Sequence, residues 1–408
     1  MGNRVIVIGG GASGMIASIV AARHGAEVTL LEKNDRVGKK LLATGNGRCN
    51  YTNENMSLNS FHGADRDFIG TALSTFGRND VLEFFERLGI VPASEDGGKI
   101  FPLSFQSSSM LDVLRYEIER SGVNLRTESH VSKVVKDKKF KVYLKDGEVL
   151  EADRVILATG GMAMPVSGSD GNGYSIARAF GHKVTSVTPS LVQLKLKSDR
   201  LKAMNGIKFD GKVSLFVEGK LIREDIGDVL FTDYGISGPP ILQLSREAVI
   251  ASETGKHAVV AVAIIRGRTK EELADYLKKR FDWMPEKRLE EALIGMINKK
   301  LIIPLLKESN IDKDILAEDC TDDTINKLSD MLTKWEFQVT GHKGWGQAQT
   351  TAGGVDTDSV EPLTMESKLV KGLYFTGELL DVDGDCGGYN LQWAWTSGYI
   401  AGKASNSK

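Results

Sequence analysis

The stretch Gly9-Gly10-Gly11-Ala12-Ser13-Gly14 constrains this chain more than any other feature. It follows a short apolar run, Val5 to Ile8, and opens a segment from Met15 to His24 with helix-compatible spacing; Glu27 to Glu32 then reads as a second strand. In a β-α-β unit each of these residues has a task. Gly9 permits the tight turn, Gly11 lets the backbone approach a pyrophosphate, Gly14 allows helix and strand to touch, and the helix N-terminus offers N–H donors to an anion. Glu32 would accept hydrogen bonds from ribose hydroxyls. The glycine spacing alone is a weak signal, equally compatible with a glycine turn in a buried crossover. With strand, helix and terminal acid in register it reads as a dinucleotide site. The same glycines argue against reading the apolar stretch Val5 to Ala22 as a signal peptide or a membrane span.

At 408 residues the chain has room for two to three domains. Its 52 Lys+Arg against 54 Asp+Glu give a formal charge of −2, which provides no footprint for nucleic acid or an anionic membrane. Three dispersed cysteines, Cys49, Cys320 and Cys386, fit a reducing cytoplasm better than a disulfide framework, and no spacing resembles a metal site.

Further strands are readable at His130 to Val135, Lys139 to Leu144 and Arg154 to Ala158, with a turn at Asp146-Gly147 and an amphipathic helix at Leu111 to Arg120. Near Thr188-Pro189 the character changes. Leu191 to Lys197, Lys212 to Val217 and Ala258 to Ile265 are strand-like without interleaved helices. Glu271 to Phe281, Glu286 to Ile297 and Thr324 to Trp335 are helical, with Pro285 and Pro304 as punctuation. After Gly341 the glycine-rich style returns. The expected architecture is α/β: a discontinuous Rossmann-type domain, residues 1–188 and 338–408, interrupted by a β-rich, barrel-like domain (189–267) and a small helical domain (268–337).

Which dinucleotide is bound depends on the later glycine loops. Gly38 to Asn53 crowds basic residues and glycines into a loop able to wrap phosphates and a ring edge, although a solvated charged loop has the same composition. The strand ending at Ala158 opens into Thr159-Gly160-Gly161 and then Gly168 to Ala177, permitting close backbone contact with a flat cofactor.

The fingerprint, the ATGG motif and a late glycine-acid motif together resemble flavoproteins of the glutathione-reductase-like superfamily, in the branch of fumarate reductase and succinate dehydrogenase. Four strings, TGNGRCNYTN (Thr44 to Asn53), FTDYGISGPPIL (Phe231 to Leu242), TTAGGV (Thr350 to Val355) and the run Met365 to Gly398, resemble the bacterial BaiN-like flavoproteins, which include aminoacetone oxidase. The resemblance implies FAD. It places Gly9, Gly11, Ala12, Ser13, Gly14, Glu32 and Lys33 on the ADP half, with the Val131 backbone at adenine. Thr159 and Gly160 would line the cofactor, and Lys40, Asn46 and Arg48 would lie near pyrophosphate or flavin. Gly377-Glu378 would face the ribityl chain, and Asp383, Asn390, Leu391 and Gln392 would close around the flavin, Leu391 at a helix N-terminus that can stabilise an anionic ring. Asp233 stands where the family string carries His, which puts a proton donor at that position in doubt. Cys49 and Cys386 read as packing residues rather than a redox pair, and among six histidines only His342, near the domain return, has a position that suggests the site, a surface or linker histidine being the preferred reading.

A flavin needs a hydride source and a sink. With no second strand-glycine-helix unit, NAD(P)H is expected only as a transient visitor. The expected activity is NAD(P)H-linked reduction of a C=C bond conjugated to a carbonyl in a small organic substrate. The alternative is O₂-dependent oxidation of a small amine such as aminoacetone; a flavoprotein acting on RNA, or serving as a scaffold, is disfavoured by the charge balance. No nucleic-acid or membrane partner is expected. The catalytic residues and the oligomeric state are not readable.

Overall fold

The computed structural model describes residues 2–63 and 65–406. They divide into two compact units: one runs to Pro189 and resumes at Gln349, and the other spans Ser190–Ala348.

The first unit is built on a five-stranded parallel sheet in the order Leu373–Phe375, Arg154–Leu157, Arg4–Ile8, Glu27–Leu31, Asn124–Arg126. Val5 to Ile8 are all buried, as a central strand covered on both faces requires. The helix Ala12–Arg23 follows the first strand and packs against the C-terminal helix Tyr389–Ala404. Their contact depends on small residues. A Cβ on Gly398 would lie 2.5 Å from the Ser13 carbonyl oxygen, and one on Gly402 would lie 2.5 Å from that of Ala17. A separate antiparallel sheet, Val131–Lys136, Phe140–Leu144 and Val149–Ala152, turns at Gly147, where φ is +97°. The segment Val5 to Ala22 is thus strand, turn and helix. Among the described residues no helix is long and apolar enough to cross a membrane.

The second unit contains a closed six-stranded barrel in the order Leu194–Leu196, Gly235–Ser237, Lys220–Phe231, Lys208–Val217, Ala258–Ala263, Trp335–His342. Its core includes Phe231, Trp335 and Phe337 in mutual ring contact. Several local expectations are corrected here. Trp335 begins a barrel strand instead of ending a helix, so the helix before it is Asp322–Thr333. Gly341 also belongs to that strand, and the return to the first unit comes at Gln349. The tandem prolines 239 and 240 do not break structure. They occupy the first turn of a helix, Pro239–Glu253, where the missing N–H groups have no intrahelical partner to lose. Pro304 lies inside the helix Lys299–Glu308, and of Glu286 to Ile297 only Leu289–Ala292 is helical.

Candidate functional site

A groove of about 1160 Å³, counting the part open to solvent, lies within the first unit where the parallel strands end. That is the location expected for a cofactor site in an open parallel sheet. Of the residues singled out from sequence, Gly9, Gly11, Ala12, Ser13, Glu32, Lys33, Lys40, Val131, Thr159, Gly160, Gly377, Glu378, Asn390 and Leu391 line it.

The glycine loop has the form of an anion cradle. Gly9 adopts φ +110°, and a Cβ there would lie 2.4 Å from the Ala158 carbonyl oxygen. Gly14 does not line the groove but seats the helix on the strand. At Gly11 the situation is reversed: an added Cβ would meet no atom within 4 Å, so the backbone faces open groove. Gly11 is also the N-cap of Ala12–Arg23, with no side-chain cap and no acidic residue in the first turn. The N–H donors and positive end of that helix are therefore available to a diphosphate. The residues present fit FAD at this end.

Glu32, buried at the tip of its strand, is fixed by the protein. Its Oε2 accepts from the Gly10 N–H at 2.8 Å, and Oε1 accepts from the Asn34 backbone N–H at 2.8 Å and the Asn34 amide at 2.7 Å. Oε1 is filled by its two Asn34 donors, and Oε2 retains acceptor capacity for a ribose hydroxyl. Lys33 pairs with Asp170 at 2.7 Å. Burial works to raise the Asp170 carboxyl pKa, but Lys33 and the Asn172 N–H outweigh it and hold the carboxyl below its usual range.

At the far end of the groove, Leu391 sits in the first turn of Tyr389–Ala404. This helix begins at Gly388 (φ +98°) and, like the first, has no side-chain cap. Gly377 adopts φ +66°; its N–H donates to Ser397 Oγ at 2.8 Å and its carbonyl accepts from Trp393 Nε1 at 3.1 Å. Glu378 Oε2 lies 2.6 Å from Lys40 Nζ, and its Oε1 accepts from Thr351 Oγ1 at 2.8 Å and Thr351 N–H at 3.0 Å. Asn390 holds the turn before its helix by accepting from Gly384 N–H at 2.8 Å and donating to the Gly384 carbonyl at 2.7 Å.

Besides Gly14, four residues assigned by resemblance do not line the groove. Gln392 points into the interior, where it accepts from Thr52 Oγ1 at 2.6 Å and donates to Thr396 Oγ1 at 3.0 Å. Asp383 is buried in a strand paired with Phe61–Gly63, and alternation puts its neighbour Val382 on the groove instead. Arg48 pairs with Glu95 at 2.8 Å and covers the Phe101 ring at 4.4 Å, and Asn46 is exposed in a left-handed turn at φ +56°. Conversely, Asn34, Ser167, Asn172 and Gln349 line the groove, and Thr351 braces Glu378, without having been singled out. Thr351 fell within the TTAGGV string, and Asn34 directly follows Lys33.

Cys49 is fully buried, and burial pushes its thiol up to about 12, despite an opposing hydrogen bond with Thr44. All three cysteines are free thiols. His342 belongs to the barrel unit, 3.4 Å from Glu253, and its Nδ1 accepts from the Gly344 N–H. Asp233 is exposed in the loop before Gly235–Ser237.

Residues 3–404 match the family described as HI0933-like protein Rossmann domain. The chain is 42% identical over 405 residues to a 3-dehydro-bile acid delta(4,6)-reductase of Clostridium scindens, covering 99% of each chain. It is 31% identical to a ribosomal RNA dihydrouridine synthase of Escherichia coli, covering 98% of each. Among solved structures, an open-conformation flavocytochrome c3 fumarate reductase aligns at 17% identity and TM-score 0.49, covering 99% of this chain and 78% of that one.

Proposed function

The chain belongs to the HI0933-like Rossmann family and is an FAD-dependent oxidoreductase, and from that premise we propose that it reduces a C=C bond conjugated to a carbonyl in a small organic substrate, with NAD(P)H as electron donor. The observation that carries this reading is the 42% relative matched over nearly the full length of both chains, whose name specifies reduction of ring double bonds in a 3-dehydro (3-keto) bile acid. The more distant relatives are named for dihydrouridine synthesis, in which a ring C=C conjugated to a carbonyl is also saturated. One bond type is therefore common to both kinds of relative. The formal charge of −2 provides no net attraction for RNA, which favours the small carbonyl compound as substrate.

FAD held in this groove would supply the hydride chemistry, with delivery to the β carbon and a proton to the α carbon of the enone. This chain's own contribution is placement and charge. The uncapped helix at Gly11 would receive the diphosphate, Glu32 would receive the ribose, and the helix N-terminus at Leu391 would stabilise negative charge on a reduced ring. With a single glycine fingerprint in the sequence, the nicotinamide donor has no Rossmann unit of its own and binds transiently at the flavin.

An anaerobic spectrophotometric titration tests the reading. NADH or NADPH should bleach the oxidised-flavin band with shallow saturation, and a 3-keto-4-ene steroid should restore it. Faster bleaching by aminoacetone, with reoxidation by O₂ alone, would replace the reductase with an amine oxidase. Reoxidation by uridine-containing ribosomal RNA, but by no small enone, would move the substrate to RNA.

A further inference from the structure

The hydroxyl of Thr351 is used to capacity. It accepts from the backbone N–H groups of Met162 at 2.8 Å and Ala163 at 3.1 Å, and it donates to Glu378 Oε1 at 2.8 Å. A hydroxyl has one proton and two lone pairs, so no capacity remains. The surroundings admit no slack, since a Cβ on Gly161 would lie 2.4 Å from Thr351 Oγ1 and 2.8 Å from Glu378 Oε1. The second carboxylate oxygen of Glu378 is engaged by Lys40 at 2.6 Å, and both Lys40 and Glu378 line the cofactor groove.

We propose that Thr351 is a positioning residue of the flavin site: its hydroxyl fixes the Glu378 carboxylate, and Glu378 holds the Lys40 ammonium on the groove wall where the cofactor lies. Thr351 fills Glu378 Oε1 and Lys40 faces Oε2, so the group at this corner with the most hydrogen-bonding capacity to spare, and the only donor with any, is the ammonium. It has three protons and uses one in the ion pair. A cation there favours an anionic diphosphate and the negative charge that reduction adds to the flavin. Without Lys40 the Glu378 carboxylate would stand unpaired and repel the same groups. The inference rests on flavin binding and not on which substrate is reduced.

The test uses full-length apo-protein reconstituted with FAD, reading the dissociation constant by flavin fluorescence and the midpoint potential by dye-coupled titration. Lys40→Met should weaken FAD about tenfold and move the potential to more negative values. Glu378→Gln should move the potential the opposite way, because it leaves the cation unopposed. Thr351→Val should weaken FAD, Thr351→Ser should keep it within about twofold, and Thr351→Val should add little to Lys40→Met because the hydroxyl acts through the lysine. A purely structural threonine would change the melting temperature and leave the potential where it was. Unchanged affinity and potential in Lys40→Met, potentials moving the same way in Lys40→Met and Glu378→Gln, or full additivity of the threonine and lysine changes would overturn the proposal. The two groove-wall substitutions decide the matter even if Thr351→Val does not fold.

Discussion

Gly14 approaches Gly9 so closely that a methyl group on Gly14 would stand 1.8 Å from the Gly9 carbonyl oxygen, whereas one on Gly11, in the same loop, would stand in open groove. Glycines in one motif therefore answer to different demands. Gly14→Ala should destabilise the apo-protein by about 1–3 kcal/mol through overpacking against backbone that cannot yield. Gly11→Ala should leave apo stability nearly unchanged and weaken FAD, because its methyl occupies the space facing the diphosphate. Thermal melts with and without FAD separate the two; equal loss of apo stability in both variants would contradict the assignment.

If Glu32 takes the ribose it serves the protein as well, since its carboxylate also receives the N–H groups of Gly10 and Asn34. Glu32→Ala should therefore reduce apo stability as well as FAD affinity. At about 1.5–3 kcal/mol for a hydrogen bond to a charged group, losing the ribose contacts costs roughly tenfold to several-hundredfold in affinity. Wild-type affinity in this variant, measured by fluorescence titration, would remove Glu32 from the ribose.

Much of this site was legible in the sequence because its signals are local. The fingerprint, the alternating strands and the glycine after Ala158 each lie within a few residues of what they organise. The strand Asn124–Arg126 was missed because three largely exposed residues carry no periodicity, and Pro304 was read as punctuation although it lies inside the helix Lys299–Glu308. Thr351 was illegible for a different reason: its partners are 27 and 189 residues away, and no local pattern encodes a hydrogen bond closed by the fold. Arg48 shows the converse. A basic residue in a phosphate-like loop finds Glu95 and an aromatic face instead.

His182 is 2% exposed, its ring nitrogens facing Ser359 Oγ and Ser367 Oγ at 2.8 Å each, and burial lowers its pKa. The unfolded chain therefore binds this proton more readily than the native state. The stabilising contribution is complete above the unfolded value near 6.5 and is lost as pH falls from there through the lower native value. Stability should decline on acidification with a slope from this residue of at most about 1.4 kcal/mol per pH unit. His182→Gln should flatten denaturant-derived stability between pH 7 and pH 5; an unchanged slope would exclude His182 as the source.

Cys49 should resist alkylation in the native protein, because the reactive species is the thiolate and burial holds this thiol at about 12. Mass spectrometry after iodoacetamide treatment at pH 8 should find Cys49 unmodified until denaturant is added. Rapid native labelling there would mean that the loop Gly38 to Asn53 opens in solution.

Every residue lining the groove falls in the unit that ends at Pro189 and resumes at Gln349. If cofactor binding is carried by that unit alone, joining Pro189 to Gln349 through a short glycine-serine linker should give a protein that still binds FAD, with affinity reduced by less than about tenfold. The same deletion should abolish enone reduction if residues 190–348 supply the substrate contacts. Folding of the shortened chain needs a control, and circular dichroism with a cooperative melt provides it. A folded product that binds no FAD would show that the barrel unit contributes to the cofactor site. A folded product that both binds FAD and reduces the enone would move the substrate contacts into the first unit.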